Sequence, residues 1–132
     1  MIKGIGHIAL AVRDIERVVS ALCAALGQAP AEVRHIPERQ VKVALVEVGG
    51  LQIEILEDFS ADGFIARHTA DHGNAIHHFC LLSDDIEQDL AEMKRKGVPL
   101  ADATPRMGVR GKRIAFIAPE LLNGIPIEIS EP

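Results

Sequence analysis

An internal repeat is the feature that most constrains the fold of this chain. The segment GHIALAVRDIE at 6–16 returns as HHFCLLSDDIE at 77–87, with His7 matched by His78. Identical residues in the two segments lie 71 positions apart. A repeat has to be considered before any local detail, because each copy forms the same structural unit. We therefore interpret the chain as two copies of one supersecondary motif.

Each copy predicts a strand followed by a helix. An apolar, strand-like run opens each copy, and a helix begins after Asp14 in one and after Asp85 in the other. An aspartate in this position accepts hydrogen bonds from the free amides of the first turn. Gln88 follows Asp85 at the spacing of a capping box. Gly27 and Gly97 are typical of the residues that end helices.

Three further strands complete each copy. KVALV at 42–46 recurs as RIAFI at 113–117, still 71 positions later. LQIEILED at 51–58 recurs as IPIEISEP at 125–132, where the offset has grown to 74. Insertions of this kind are tolerated in turns. Weaker strands are expected in AEVRHI at 31–36 and VPLADA at 98–103.

The predicted fold is therefore α+β, with two tandem βαβββ modules that form a curved mixed sheet around a metal-binding cleft. We expect one domain over 1–132, with module 1 at 1–58, a linker at 59–74 and module 2 at 75–132. A short helix is expected around Phe64 to Thr69. One module buries too little apolar surface to be stable alone, so the two must pack together.

Composition excludes several classes of function. The 132 residues carry a net charge of −5 and include no Trp or Tyr, so the stacking platforms of single-stranded nucleic-acid binders are missing. No apolar run approaches the roughly 20 residues that span a bilayer. With only Cys23 and Cys80, both interpreted as small buried residues, a disulfide framework is not expected. These observations indicate a soluble, cytoplasmic protein with no nucleic-acid or membrane partner.

Each copy also places one imidazole and one carboxylate on the face of its sheet that points away from the helix. Strand side chains alternate between faces, so Ile8 and Leu10 point to the helix while His7 points away. Polar groups on an apolar strand are costly unless something pairs with them. Two imidazoles and two carboxylates suit Mn, Fe, Co, Ni or Zn. The sequence therefore predicts that one divalent ion is bound by His7, Glu54, His78 and Glu128.

The alternative is that these residues are structural. A strand glutamate usually lies on a solvated face, and a single strand histidine is more often a packed residue than a ligand. Recurrence of the same pair in both copies favours the metal site. The other histidines have no counterpart in the second copy and are interpreted as surface or supporting residues; they are His35, His68, His72 and His77.

The chain also resembles a known family over nearly its whole length. Segments such as PERQVKVALVEVG, PRMGVRGKRIAFIAPE and NGIPIEISE are similar, in order, to methylmalonyl-CoA epimerases of the vicinal oxygen chelate superfamily. The family's metal ligands fall on the same four residues. The resemblance implies an enolate mechanism that inverts the 2-position of methylmalonyl-CoA or a related acyl-CoA thioester. It also implies Glu54 and Glu128 as catalytic residues, and a homodimer.

Three cations of one loop are candidate substrate-binding residues. Arg106, Arg110 and Lys112 lie close together in PRMGVRGKR, within a chain that is acidic overall. Such a cluster attracts a carboxylate or a CoA phosphate. The alternative is a solvated, positively charged loop.

Departures from the family pattern leave other functions open. Val43 stands where some epimerases have a glutamate that is proposed as a base, and Ala118 stands where the family commonly has a histidine. The alternatives are a glyoxalase I-like lyase acting on a hemithioacetal, and a small-molecule-binding protein of the drug-resistance type without catalysis.

Overall fold

The computed structural model describes all of residues 1–132, which form eight strands and three helices. The strands are β1 (Ile2–Ala11), β2 (Arg34–Ile36), β3 (Val41–Val48), β4 (Leu51–Asp58), β5 (Ala75–Ser83), β6 (Arg106–Met107), β7 (Arg113–Ile117) and β8 (Ile127–Ser130). The helices are α1 (Ile15–Ala25), α2 (Phe64–His72) and α3 (Ile86–Arg95). The α+β class and the βαβββ order of both copies are confirmed.

The third element of the second copy differs from its prediction. VPLADA forms no strand, and only Leu100 makes an isolated bridge, to Ile117. The amides of Ala101 and Asp102 both donate to the carbonyl of Phe116, so the backbone turns here instead of continuing a ladder. The strand of this copy is β6, a few residues later.

The chain divides into two compact units, which we call the C-terminal unit (Met1–His7 with His78–Pro132) and the N-terminal unit (Ile8–His77). In the C-terminal unit the strand order is β1-β5-β8-β7-β6. Strands β5 and β8 run parallel, whereas β7 is antiparallel to both β6 and β8, so the sheet is mixed. Its core packs α3 against the sheet through Ile86, Leu90, Ala115, Ile117, Ile127 and Ile129.

In the N-terminal unit the strand order is β2-β3-β4-β1. Strands β2, β3 and β4 are antiparallel neighbours. The core packs α1 against the sheet through Val12, Ile15, Val19, Cys23, Ala44, Val46 and Ile55. Leu10 packs against this core, which confirms the predicted alternation of β1.

The helix ends follow the sequence signals. Asp14 accepts a hydrogen bond from the amide of Arg17 at 3.2 Å, and Asp85 accepts one from Gln88 at 3.1 Å. The Asp85 amide donates to the Ser83 hydroxyl, so this serine provides the reciprocal bond that a capping box would take from Gln88. After α1 and α3, Gly27 (φ 68°) and Gly97 (φ 77°) adopt the left-handed conformation that glycine favours.

No helix of this chain can cross a membrane. The longest, α1, has 11 residues, far short of the roughly 20 that a bilayer requires. Neither Cys23 nor Cys80 forms a disulfide, and both are buried, as expected for small core residues.

Candidate metal centre

Two imidazoles and one carboxylate meet inside the C-terminal unit. His7 Nε2 lies 3.4 Å from His78 Nε2 and 3.6 Å from Glu128 Oε2. His78 Nε2 lies 3.0 Å from the same carboxylate oxygen. All three side chains are buried, with exposed fractions of 7% or less. We call these three residues the His–Glu triad.

Strand register positions the members of the triad. Glu128 pairs with Cys80 on the parallel strand β5 and with Phe116 on the antiparallel strand β7. Because side chains along a strand alternate between its two faces, His78 lies on the same face as Cys80, which follows it by two residues. The Phe116 ring stands edge-on to the His78 ring, with centroids 5.1 Å apart. The intervening residues Phe79 and Ile127 pack on the α3 side of the sheet, so the polar groups are confined to the opposite face.

The Glu128 carboxyl is ionised in this setting. Burial acts to raise its pKa, but hydrogen bonds with His7 and His78, and their charges when protonated, act in the opposite direction and lower the pKa from 4.5 to about 2. An anionic carboxylate beside two imidazoles is the protonation state that a cation requires of its ligands.

The spacing of the triad fits a divalent ion. Two ligand atoms bound to one ion at about 2.1 Å lie about 3.0 Å apart at a right angle and about 3.4 Å apart at the tetrahedral angle. The three separations of the triad, 3.0 to 3.6 Å, cover this range. Imidazole and carboxylate are ligands of borderline divalent ions. The donor set therefore fits such an ion both in chemistry and in spacing.

Glu54, the fourth predicted ligand, lies in the N-terminal unit. It occupies the middle of β4, is 3% exposed and pairs with Leu45 on β3. Val43 is buried on the same strand as Leu45 and pairs with Leu56. Thus the position where some epimerases carry a glutamate is an apolar neighbour of Glu54 here.

The three predicted substrate-binding cations differ in their surroundings. Arg110 Nη2 lies 2.8 Å from His7 Nδ1, so this guanidinium contacts the triad directly. Arg106 pairs with Asp102 at 3.1 Å, and its guanidinium carbon lies 5.8 Å from the centre of the Phe116 ring. Lys112 is exposed in the loop between β6 and β7. Arg110 is therefore the cation that the fold brings to the triad.

Cys80 is a potential ligand that sequence reasoning did not single out. Its sulfur and ligand atoms of His7 and Glu128 all lie within 4.8 Å of one another. The sequence interpretation treats Cys80 only as a small buried residue. The available signal is its position two residues after His78, on the same face of β5.

Three of the remaining histidines of the N-terminal unit form a separate aromatic group, whereas His35 lies against Phe59 with ring centroids 5.0 Å apart. His68 on α2 lies with its ring centroid 4.7 Å from the rings of His72 and His77. Phe64 stands edge-on to His77 at 4.8 Å. His77 is 2% exposed, so it is a packed residue of this unit.

A duplicated βαβββ fold with converging imidazole and carboxylate donors defines a class of α+β proteins suited to bind a divalent ion. The chain belongs to the glyoxalase/bleomycin resistance protein/dioxygenase superfamily, whose sequence model matches residues 6–116. This membership confirms the resemblance drawn from the sequence.

Three relatives illustrate what the chain is similar to. The uncharacterized protein YqjC of Bacillus subtilis is 32% identical over 126 residues, which are 96% of this chain and 90% of that protein. The ethylmalonyl-CoA/methylmalonyl-CoA epimerase of Cereibacter sphaeroides is 28% identical over 136 residues, with 99% of each chain covered. A solved structure of a variant Streptomyces coelicolor methylmalonyl-CoA epimerase, in complex with 2-nitronate-propionyl-CoA, has a TM-score of 0.89 at 25% identity and covers 99% of this chain and 95% of that one. The two epimerases among these relatives support an epimerase, an enzyme of the isomerase class.

Proposed function

We propose that this protein is a metal-dependent epimerase that inverts the 2-position of methylmalonyl-CoA or a related acyl-CoA through an enolate. The observation that carries the proposal is the convergence of His7, His78 and Glu128 within 3.0 to 3.6 Å. A relative of similar length is named as an epimerase of such substrates. The proposal joins that chemistry to the donor set of this chain.

Glu54 is the proposed fourth ligand. It holds the place in the first copy that Glu128 holds in the second, in the matching motifs IEILE and IEISE. Both carboxylates are buried, and a buried carboxylate requires a partner of opposite charge or strong hydrogen bonds. His7, Glu54 and His78 are all buried residues that each offer one ligand atom. In the proposed site, these residues and Glu128 bind one divalent ion.

The bound ion and the side chains of the protein have different roles in the proposed reaction. A bound divalent ion supplies Lewis-acid stabilisation of the negative charge that develops on the thioester. Glu54 and Glu128 are the proposed groups that move the proton at the 2-position: Glu128, as the carboxylate, accepts it, and Glu54, as the carboxylic acid, donates one on the opposite face. Glu128 enters the reaction ionised, as its lowered pKa requires. Burial of the triad limits access of water to the intermediate.

The substrate's anionic groups are assigned to the loop between β6 and β7. Arg110 and Lys112 supply two positive charges there, and Arg106 supplies a third from β6. An arginine can bind a carboxylate through two parallel hydrogen bonds, whereas a lysine acts as a point charge. We assign the substrate carboxylate or a CoA phosphate to these residues.

The proposal is tested by proton exchange. The protein is purified with its native metal, the ion is quantified, and deuterium incorporation at the 2-position of methylmalonyl-CoA is followed by NMR in heavy water. One ion per chain together with exchange supports the proposal, and exchange should be lost in His78→Ala but kept in His72→Ala. Bound metal without exchange would overturn it in favour of a lyase acting on hemithioacetals. Neither metal nor exchange would favour a binding protein.

A further inference from the structure

Phe116 is the large apolar side chain beside Glu128 in the sheet. The two residues pair across the antiparallel strands β7 and β8, and side chains of directly opposed residues share one face with Cβ atoms about 4.5–5.5 Å apart. Ala115 and Ile117 pack in the core under α3, so alternation along β7 directs Phe116 to the opposite face. Cys80, which pairs with Glu128 on the other side, has a much smaller side chain. The apolar surface next to Glu128 is therefore the Phe116 ring.

Contacts on several sides hold this ring in place. The Phe116 amide donates to Asp102 Oδ2 at 2.9 Å, and its carbonyl accepts from the amides of Ala101 and Asp102. The ring lies edge-on to the His78 ring, with centroids 5.1 Å apart, and the Arg106 guanidinium carbon lies 5.8 Å from its centre. Asp102 also pairs with Arg106, so one carboxylate positions both the Phe116 backbone and the cation over the ring. A ring held in this way forms a fixed boundary.

The proposed substrate presents one apolar group at its reacting carbon. Carbon 2 carries a thioester, a carboxylate, a proton and an alkyl branch. The oxygens of the thioester and the carboxylate require charged or polar partners, and the proton must lie within hydrogen-bond reach of the group that accepts it, Glu128. The alkyl branch gains free energy when it leaves water for an apolar surface. The ring of Phe116 provides such a surface beside the carboxylate.

We propose that Phe116 is the specificity-determining residue for the alkyl branch at carbon 2, favouring a methyl group over hydrogen and excluding long branches. The proposal rests on the proposed function, because the role of Glu128 places carbon 2 beside the ring. His78 and Arg106 contact the ring, so it cannot move aside without breaking these contacts. A branch longer than the fixed space beside Glu128 must therefore displace packed groups, which is unfavourable.

The affinity of the protein for a series of acyl-CoA thioesters tests this assignment. Malonyl-, methylmalonyl-, ethylmalonyl- and butylmalonyl-CoA are titrated by calorimetry into the metal-loaded wild type and into Phe116→Ala, Phe116→Leu and Phe79→Leu. The branched ligands are racemates, so epimerisation causes no net conversion during the titration. Phe79→Leu is the matched control for Phe116→Leu, because Phe79 belongs to the same sheet but packs on its α3 side.

The wild type should select by the size of the branch. We expect methylmalonyl-CoA to bind roughly fourfold more tightly than malonyl-CoA, which corresponds to burial of one methyl group. Butylmalonyl-CoA should bind roughly tenfold more weakly than methylmalonyl-CoA, with ethylmalonyl-CoA between the two. In Phe116→Ala, the methyl preference should disappear and butylmalonyl-CoA should bind at least as tightly as methylmalonyl-CoA. Phe79→Leu should keep the order of the wild type.

Three results would overturn the proposal. They are equal affinity of the wild type for malonyl- and methylmalonyl-CoA, the wild-type order in Phe116→Ala, and the same change of order in Phe79→Leu as in Phe116→Leu. Should Phe116→Ala fold poorly, Phe116→Leu decides the question. It retains an apolar side chain of smaller size, so it should keep the methyl preference and bind butylmalonyl-CoA more tightly than the wild type does.

The proposed reaction and the role of Phe116 can fail separately. If the thioesters bind in the expected order but methylmalonyl-CoA does not exchange deuterium, the epimerase proposal falls and the branch preference stands. If exchange occurs but the order of affinities is the same in Phe116→Ala and the wild type, the assignment of Phe116 falls and the epimerase proposal stands. Binding of none of the thioesters would overturn both.

Discussion

His78 Nε2 lies 3.0 Å from Glu128 Oε2, across the neighbouring parallel strands β5 and β8. The two residues are far apart in the chain, yet the register that pairs Cys80 with Glu128 brings His78 to the same face. The repeat that generates two such polar pairs is visible in the sequence. This closeness is what makes the metal proposal specific enough to test residue by residue.

Loss of one triad member should weaken metal binding. We expect His7→Ala and Glu128→Ala each to lower affinity for a divalent ion by roughly a hundredfold or more, since even loss of an outer-shell partner costs 10- to 100-fold. Metal content after dialysis, measured by mass spectrometry, checks this. His72→Ala is the control, because His72 is exposed and its ring lies tilted against that of His68 in the N-terminal unit. Equal metal content in all three variants would remove the ligand assignment.

Much of the architecture could be predicted because it depends on local signals. Asp14 and Asp85 cap helices as the spacing indicates, and RIAFI forms β7 with the predicted bounds. The alternation of β1 correctly assigns Leu10 to the face that packs against the α1 core. Periodicity and capping act over a few residues, so they can be read without knowledge of tertiary contacts.

The features that escaped prediction depend on long-range contacts. The hydrogen bond between Arg110 and His7 joins a loop residue to a residue of β1, and no periodic pattern in the sequence relates the two. The sequence predicts the second strand of this copy at VPLADA, whereas the amides of Ala101 and Asp102 both donate to the Phe116 carbonyl. At the start of α3, the Asp85 amide donates to the Ser83 hydroxyl and not to the Gln88 side chain that the capping-box spacing predicts. Such choices are settled by tertiary packing.

The two helix caps should contribute similarly to stability. Asp14→Ala and Asp85→Ala each remove the acceptor for a first-turn amide, in α1 and α3 respectively. We expect each change to lower the free energy of unfolding by about 1 kcal/mol, measured by urea denaturation. Asp14→Asn and Asp85→Asn serve as controls that retain a capping oxygen. An alanine variant as stable as its asparagine control would show that the cap is energetically silent.

The ionised Asp58 carboxylate should stabilise the folded protein to an extent that depends on pH. Partial burial acts to raise its pKa, but hydrogen bonds from Ser60 and Ala66 outweigh this and hold the pKa below the usual 3.8. A carboxyl whose pKa is lower in the folded state stabilises the protein above its unfolded pKa and loses that effect as pH falls through the folded value. Asp58→Ala should therefore cost about 1 kcal/mol at pH 7 and progressively less below about pH 4.

Urea denaturation of the wild type and Asp58→Ala at neutral and acidic pH measures this difference. A gap between the two proteins that widens on acidification would contradict the assignment, because protonation should remove the advantage of the ionised carboxylate.

The two cores should be equally sensitive to truncation. Ile55 and Ile129 are both fully buried, one against α1 and the other against α3. Ile55→Ala and Ile129→Ala should each lower the free energy of unfolding by about 2–5 kcal/mol. Ile76→Ala is the control, since Ile76 is 64% exposed and should change stability by no more than about 0.5 kcal/mol. A cost near that of the control at either buried site would show that the corresponding helix is loosely packed.

The most direct test of the central claim is a crystal structure of the cobalt-loaded protein, with the ion located by anomalous scattering. The account predicts one cobalt per chain, bound by His7, His78 and Glu128 from the C-terminal unit and by Glu54 from the N-terminal unit. Cobalt bound elsewhere, or bound without Glu54, would contradict the claim that the two copies of the repeat share one ion.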